Sequence, residues 1–275
     1  VKNLLIFVSL FAGHQYSNLE YLKLTFIGFV AFCLVASATY VVNDILDLRS
    51  DQQHPTKKTR PLAAGQIQIP HAIVIALILT IVGVGLGRLV GAEFFVCLVG
   101  YLVLNFGYSL VFKPMLAIDV VVLSLLYILR IVAGAAATNV MPSFWLLAFS
   151  LFIFTSLAML KRYAELEQQQ LTGSTNYRRA YRVEDKSLMA MMGAATGLIS
   201  VFVFAFYLNS IEVTVLYQQA EILWLVIPVL FCWIIRIWLL ASRAMINEDP
   251  IVFALSDSFS YACAAITILL VMLAK

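Results

Sequence analysis

Long unbroken apolar runs constrain this chain more than any other feature. Residues 69–90 read IPHAIVIALILTIVGVGLGRLV, with no ionisable side chain but His71 and Arg88. Runs of this kind recur along all 275 residues. A bilayer's hydrocarbon core takes about 20 apolar residues per helical span, and the half-polar helix of a soluble protein cannot supply such runs. Hydrophobic residues make up 63% of the chain and charged residues only 12%, with a mean hydropathy of +0.95. That charged fraction is about half the soluble norm. The in-and-out alternation required by a membrane β-barrel is missing. The expectation is an all-α polytopic membrane protein with a single transmembrane domain across residues 1–275.

Nine helical segments are expected: a partial one at 2–13, then 21–43, 69–90, 93–112, 115–137, 143–163, 187–208, 221–242 and 252–273. Pro70, Pro114, Pro142 and Pro250 fall at or near segment starts, where proline is tolerated. The four cysteines, Cys33, Cys97, Cys232 and Cys263, sit inside apolar runs without metal-ligand spacing, and read as packing residues. His14, His54 and His71 are equally scattered. The sequence opens at Val1 and is apolar from Leu4, with no signal-peptide pattern. It reads as a clipped chain, or as the membrane half of a longer one.

With nine spans, the N-terminus shares a side with every second connection. That side carries Lys2, Arg49, Lys57, Lys58, Arg60, Lys113, Lys161, Arg162, Arg178, Arg179, Arg182, Lys186, Arg236 and Arg243. The other carries Lys23, Arg88 and Lys275, and Arg130 lies within a span. Basic short loops stay cytoplasmic. The charged face is therefore expected in the cytoplasm and the protein in the cytoplasmic (inner) membrane. Acids crowd the same face: Asp44, Asp47, Asp51, Asp119, Glu165, Glu167, Glu184, Asp185, Glu248, Asp249 and Asp257. Positive-inside bias does not explain them. A solvated rim and a site for a charged ligand both would.

The densest stretch is VVNDILDLRSDQQHPTKKTRPLAAG, residues 41–65. On one continuous helix, Asp44, Asp47 and Asp51 share a face beside Asn43, and their like charges repel unless a cation joins them. Oxygen donors with no neighbouring His or Cys favour Mg²⁺, which bridges carboxylates to a substrate's phosphates. Solvated acids on a helix that outruns the membrane are the plainer alternative. The following loop, from His54 to Pro61, is kept from helix by its two prolines. It presents Lys57, Lys58 and Arg60, and a metal with cations suits a diphosphate. Gly65 can end it.

A second polar block, Lys161-Arg162-Tyr163-Ala164-Glu165-Leu166-Glu167, ends the sixth segment. A basic stop-transfer flank accounts for Lys161 and Arg162 but does not need Glu165 or Glu167. Its placement suggests two four-helix halves around a central cavity, although residue identity does not. Tyr108, Ser109 and Lys113 end the fourth segment, with Asp119 just inside the fifth. Arg130 is costly in hydrocarbon and marks either a functional site or a snorkelling side chain. Asn247-Glu248-Asp249-Pro250, with Asp257, opens the last segment as a second acidic cluster or a capping turn.

At these residues the sequence resembles the UbiA superfamily of intramembrane prenyltransferases. Asn43-Asp44-x-x-Asp47-x-x-x-Asp51 matches its N-D-x-x-D-x-x-x-D motif, Arg60-Pro61-Leu62 with Gly65 its R-P-L-x-x-G, and Tyr108-Ser109 with Lys113 its Y-S-x-x-x-K. The resemblance implies nine helices around a cavity with Mg²⁺ on the aspartates. Aromatic prenyltransferases of the family carry a second D-x-x-x-D motif where this chain has Lys161 to Glu167. That departure, with the closing Glu248-Asp249-Pro250-Ile251-Val252-Phe253-Ala254-Leu255-x-Asp257, resembles the decaprenyl-phosphate phosphoribosyltransferase branch.

That branch implies transfer of a 5-phosphoribosyl group from phosphoribosyl diphosphate to a polyprenyl phosphate within the bilayer, a glycosyl transfer serving cell-envelope synthesis. Asp44, Asp47 and Asp51 would hold Mg²⁺. Lys57, Lys58 and Arg60 would face the leaving diphosphate, and Lys113, Arg130, Lys161 and Arg162 the remaining phosphates. Tyr163 and Glu165 would meet the ribose. Asn43 and Tyr108 complete the substrate set. Two alternatives stay open: an aromatic prenyltransferase using a prenyl diphosphate, and a transporter of phosphorylated or lipid substrates. Nothing points to nucleic acid, and oligomeric state is open.

Overall fold

The computed structural model describes residues 2–53, 57–172, 180–246 and 249–275, and every regular element among them is helical. A 3₁₀ turn, Lys2–Phe7, runs into α1 (Val8–Ala12), followed by α2 (Leu19–Leu46) and α3 (Leu48–Gln53). Then come α4 (Ile69–Val90), α5 (Ala92–Gly107) with a π-helical end at Tyr108–Phe112, α6 (Ile118–Thr138) and α7 (Phe144–Thr172). The rest of the chain is α8 (Lys186–Leu208), α9 (Ile211–Leu216), a 3₁₀ turn at Ala220–Leu225 leading into α10 (Val226–Ser242), α11 (Pro250–Ala254) and α12 (Ser258–Ala274).

Seven of the described helices are long and apolar enough to cross a membrane, and two shorter apolar ones, Lys2–Ala12 and Ser258–Ala274, flank them. The fold is thus the expected all-helical membrane architecture; among the described residues seven helices have full membrane-spanning length, and the helices at the expected first and last segments are shorter. The last expected segment, 252–273, is two helices, because Asp257 caps a fresh start: its carboxylate accepts from the Ser260 N–H at 2.9 Å. Helix α7 runs past 163 to Thr172, because Lys161 to Gln170 are good helix formers that need no membrane. The expected continuous helix through Asp51 is broken at Asp47. Of the loop from His54 to Pro61, residues 54–56 lie outside the described residues, as do Val1, Arg178, Arg179, Asn247 and Glu248.

Contacts divide the chain into two units, Val1–Phe112 with Leu129–Pro142, and Lys113–Ile128 with Ser143–Lys275. In the first, α2 packs along α4, and α5 packs on both. Phe32 of α2 is fully buried between Phe94 and Tyr101 of α5, with ring centroids 5.7 and 5.2 Å away. Gly134 of α6 lets the N-terminal turn in so closely that a Cβ there would sit 1.9 Å from the Ile6 carbonyl oxygen. Small residues at such crossings are how membrane helices reach van der Waals contact. Ile73, Leu77 and Ile81 of α4 are exposed, as a lipid-facing stripe requires.

The second unit is organised by α7 lying along α8, with α10 on both. Ser156 ties the three together, donating to the Gly193 carbonyl at 2.6 Å and accepting from the Trp238 indole at 3.1 Å. Satisfied hydroxyls are the tolerable polar groups at this depth. Helix α12 packs on α10, and the short α11 rests on α7.

Candidate active site

Each unit carries one dense polar cluster. In the first, α2 ends at Leu46 and Asp47 takes the capping position, its N–H bonded to the Asn43 carbonyl at 2.9 Å. The chain then restarts as α3, with the Asp51 N–H on the Asp47 carbonyl at 2.9 Å. Beyond this joint Asp51 is buried, at 4% exposed. One nitrogen of Arg60, Nη1, lies 2.7 Å from Asp44 Oδ1 and 2.8 Å from Asp51 Oδ2. Two of the three predicted aspartates therefore converge on a single positive centre.

The loop supports this arrangement. Lys57 and Lys58 lie on a 3₁₀ turn, Lys57–Thr59, that packs on α3, and Lys57 is close enough for its charge to be felt at Asp44. The Arg60 carbonyl accepts from Ala64 at 2.8 Å, Leu62 is buried, and Gly65 turns the chain at φ 73°. That φ favours glycine, as the sequence anticipates.

Arg130 is not part of this cluster. It is 4% exposed, with Nε donating to Asn3 Oδ1 at 2.9 Å, Nη2 to the Tyr101 hydroxyl at 3.0 Å, and its guanidinium 4.7 Å from the Tyr101 ring centre. Asn3 in turn reaches Cys33 of α2, about 16 Å along the helix from Asp44 at 1.5 Å per residue. The arginine is held inside the unit, so the snorkelling alternative fails. Tyr108 opens the π-helical end of α5 and Lys113 follows it, both half-buried.

In the second unit, Arg162 is the largest fully buried side chain. Its Nε donates to Asp119 Oδ2 at 2.8 Å and its Nη1 to Glu165 Oε2 at 2.6 Å. Asp119 is wholly buried and takes a second donor on Oδ1, the Tyr181 hydroxyl at 2.7 Å. The Tyr181 oxygen accepts from the Ala117 N–H at 2.9 Å, and Ala117 adopts a left-handed φ of 62°. Burial, then the hydrogen bond to Asp119, pushes the Tyr181 phenol far above its ordinary pKa. Lys161, by contrast, has a side chain 32% exposed and pairs with Asp249 at 2.9 Å. Tyr163 is buried edge-on to Trp238, with Lys186 over its ring and Lys186 paired to Glu167. Tyr181 and Lys186 were not among the expected site residues, and Asp249 was expected only as part of the acidic cluster or capping turn that opens the last segment. Lys186 had been counted only with the basic face, and no signal in the sequence marked Tyr181.

Among the described residues, no three Asp, Glu, His or Cys side chains gather as a protein-only metal cage. The donor chemistry of the first cluster still fits Mg²⁺, which keeps waters and uses one or two carboxylates. Asp44 and Asp51 already meet at a single cationic atom, and both offer oxygen.

The UbiA prenyltransferase family matches residues 4–256. The chain is 36% identical over 267 residues to protein y4nM of Sinorhizobium fredii, covering 96% of this chain and 52% of that one. It thus spans about half the length of that relative. Nodulation protein NoeC of Azorhizobium caulinodans is 30% identical over 264 residues, 96% of this chain and 86% of that one. Decaprenyl-phosphate phosphoribosyltransferase of Mycobacterium tuberculosis is 34% identical over 180 residues, 63% of this chain and 59% of that enzyme. Among solved structures, a UbiA homolog from Archaeoglobus fulgidus bound to GPP and Mg²⁺ superposes with a TM-score of 0.70 at 16% identity, covering 99% and 97% of the two chains. At that identity the likeness speaks for the fold.

Proposed function

The chain belongs to the UbiA prenyltransferase family of integral membrane enzymes, and from that premise we propose that it moves a 5-phosphoribosyl group from phosphoribosyl diphosphate to a polyprenyl phosphate, releasing diphosphate, for cell-envelope synthesis. The observation that carries this reading is the composition of the second cluster. Lys161, Arg162 and Glu165 stand where the aromatic prenyltransferases have an aspartate pair. A phosphoribosyl donor and a phosphorylated acceptor together bring a diphosphate and two further phosphates, more negative charge than a prenyl diphosphate and an aromatic ring. The partial likeness to the M. tuberculosis enzyme supports the same choice.

In this reading the site faces the cytoplasm. Asp44 and Asp51, with Asp47 and Asn43 beside them in the chain, would hold Mg²⁺, which when bound offsets the charge of the diphosphate. Arg60, Lys57 and Lys58 neutralise the diphosphate as it leaves. Lys161 and Lys113 meet the other phosphates, while buried Arg130 and Arg162 support the scaffold. Glu165 and Tyr163 hold the ribose hydroxyls. The C1–O bond to diphosphate breaks with positive charge growing at C1, and an acceptor phosphate oxygen forms the new C1–O bond with inversion. That oxygen is already anionic, so no strong general base is needed.

A second reading keeps a prenyl diphosphate as donor, and the GPP and DMAPP found in the A. fulgidus structures favour it. Purified protein with Mg²⁺ is to be given labelled phosphoribosyl diphosphate with a polyprenyl phosphate, and separately a labelled prenyl diphosphate with an aromatic acceptor. Labelled phosphoribosyl lipid is the expected product. Product from the prenyl donor alone overturns the proposal.

A further inference from the structure

The second cluster forms a chain of contacts with a buried middle, Asp119 and Arg162, and two partly exposed ends, Tyr181 and Glu165. Tyr181 donates to Asp119, Asp119 is shared with Arg162, and Arg162 reaches Glu165. From the middle towards Glu165 exposure rises: the Asp119 side chain is 0% exposed, Arg162 2% and Glu165 30%. Arg162, Glu165 and Tyr181 also line one small cleft with Leu166 and Gln169. A guanidinium buried this deeply is poorly placed to meet a ligand's phosphate. It is well placed as a strut, because its planar fork can bind two carboxylates at fixed angles.

We propose that Tyr181, acting through Asp119 and Arg162, is a positioning residue that sets the Glu165 carboxylate at the other partly exposed end of this chain to accept hydrogen bonds from a substrate hydroxyl. The inference deepens the reading above, in which Glu165 holds the donor's ribose. Tyr181 removes the rotational freedom of Asp119 by occupying Oδ1, which leaves Oδ2 to orient the arginine. Glu165 is then held in one rotamer before substrate arrives, the pre-organisation that substrate positioning requires.

The test compares Tyr181→Phe, Glu165→Gln and the double variant, each purified in detergent and first checked by thermal melting. Tyr181→Phe removes only the hydroxyl. It is expected to raise KM for the donor about tenfold, the usual effect of a hydrogen bond to a charged group, with kcat little changed. In the Glu165→Gln background it is expected to add nothing further, because the two changes interrupt one route. Additive losses, or no loss in the single variant, overturn the proposal. Arg162→Lys is a second check: lysine keeps the charge but not the fork, so KM should not recover. Recovery to wild-type KM would mean that Arg162 meets a phosphate directly. If wild type uses only the prenyl donor, the functional reading falls on its own. The cycle is then run on KM for a hydroxylated aromatic acceptor: non-additive losses at Tyr181 and Glu165 keep the positioning role, and additive losses overturn it.

Discussion

Arg60 Nη1 lies 2.8 Å from Asp51 Oδ2, and that aspartate is almost wholly buried. Removing the arginine leaves a buried carboxylate without its cation, next to a second carboxylate at Asp44. Arg60→Ala should destabilise the protein by about 1–3 kcal/mol in metal-free buffer. On the proposal that Asp44 and Asp51 would hold Mg²⁺, adding it should raise the melting temperature of the variant more than that of wild type. Equal shifts would mean that the metal binds elsewhere.

Asp44→Asn keeps the shape of the side chain and removes its charge. Turnover should fall on the order of 10²-fold or more, as for loss of a key electrostatic contact in an active site. Thermal stability should stay near wild type, since Arg60 still pairs with Asp51. Full activity in this variant would remove the first cluster from the chemistry.

Asp257 binds both terminal nitrogens of Arg236, at 2.7 and 2.9 Å, and accepts from Ser260 as well. Chiefly the hydrogen bond from Arg236 holds its pKa down to about 2, below the roughly 3.9 of a free aspartate. Stabilisation from a depressed carboxylate is complete above the unfolded value and is lost as pH falls through the folded one. Melting curves should therefore weaken between about pH 4 and about pH 2. Asp257→Asn should lose about 1–3 kcal/mol at neutral pH and show a flatter profile in that window.

Gly134→Ala would drive a methyl into the Ile6 carbonyl. The helix or the N-terminal turn must then move, an overpacking effect of about 1–3 kcal/mol. Gly85 has nothing within 4 Å of the same built position, so Gly85→Ala should be neutral or stabilising by up to about 1 kcal/mol. Melting both variants in the same detergent separates close approach from helix propensity.

The spans were legible because lipid imposes one simple rule on composition, and α4 has the bounds its apolar run predicts. What lipid does not dictate was harder to read. Nothing in Asp47-Leu48-Arg49-Ser50 resembles a helix breaker, so the joint at Asp47 left no local sign. The left-handed Ala117 and the bond from Tyr181 to Asp119 depend on residues 62 positions apart in sequence, beyond the reach of any periodicity. The burial of Arg130 and Arg162 could not be seen in a one-dimensional string. In space both are buried, beside Asn3 and Tyr101 in one case and Asp119 in the other.

The joint at Asp47 has a mechanical consequence. On a straight helix, residues seven apart stand about 10 Å apart along the axis. Here Asp44 and Asp51 ride on separate pieces of helix and close on one atom like the jaws of a caliper. The gap therefore depends on the backbone at Asp47 as well as on helix pitch. Any change in the backbone angle there changes the spacing of the two carboxylates. A substitution that straightened the joint would spread the jaws without touching either aspartate.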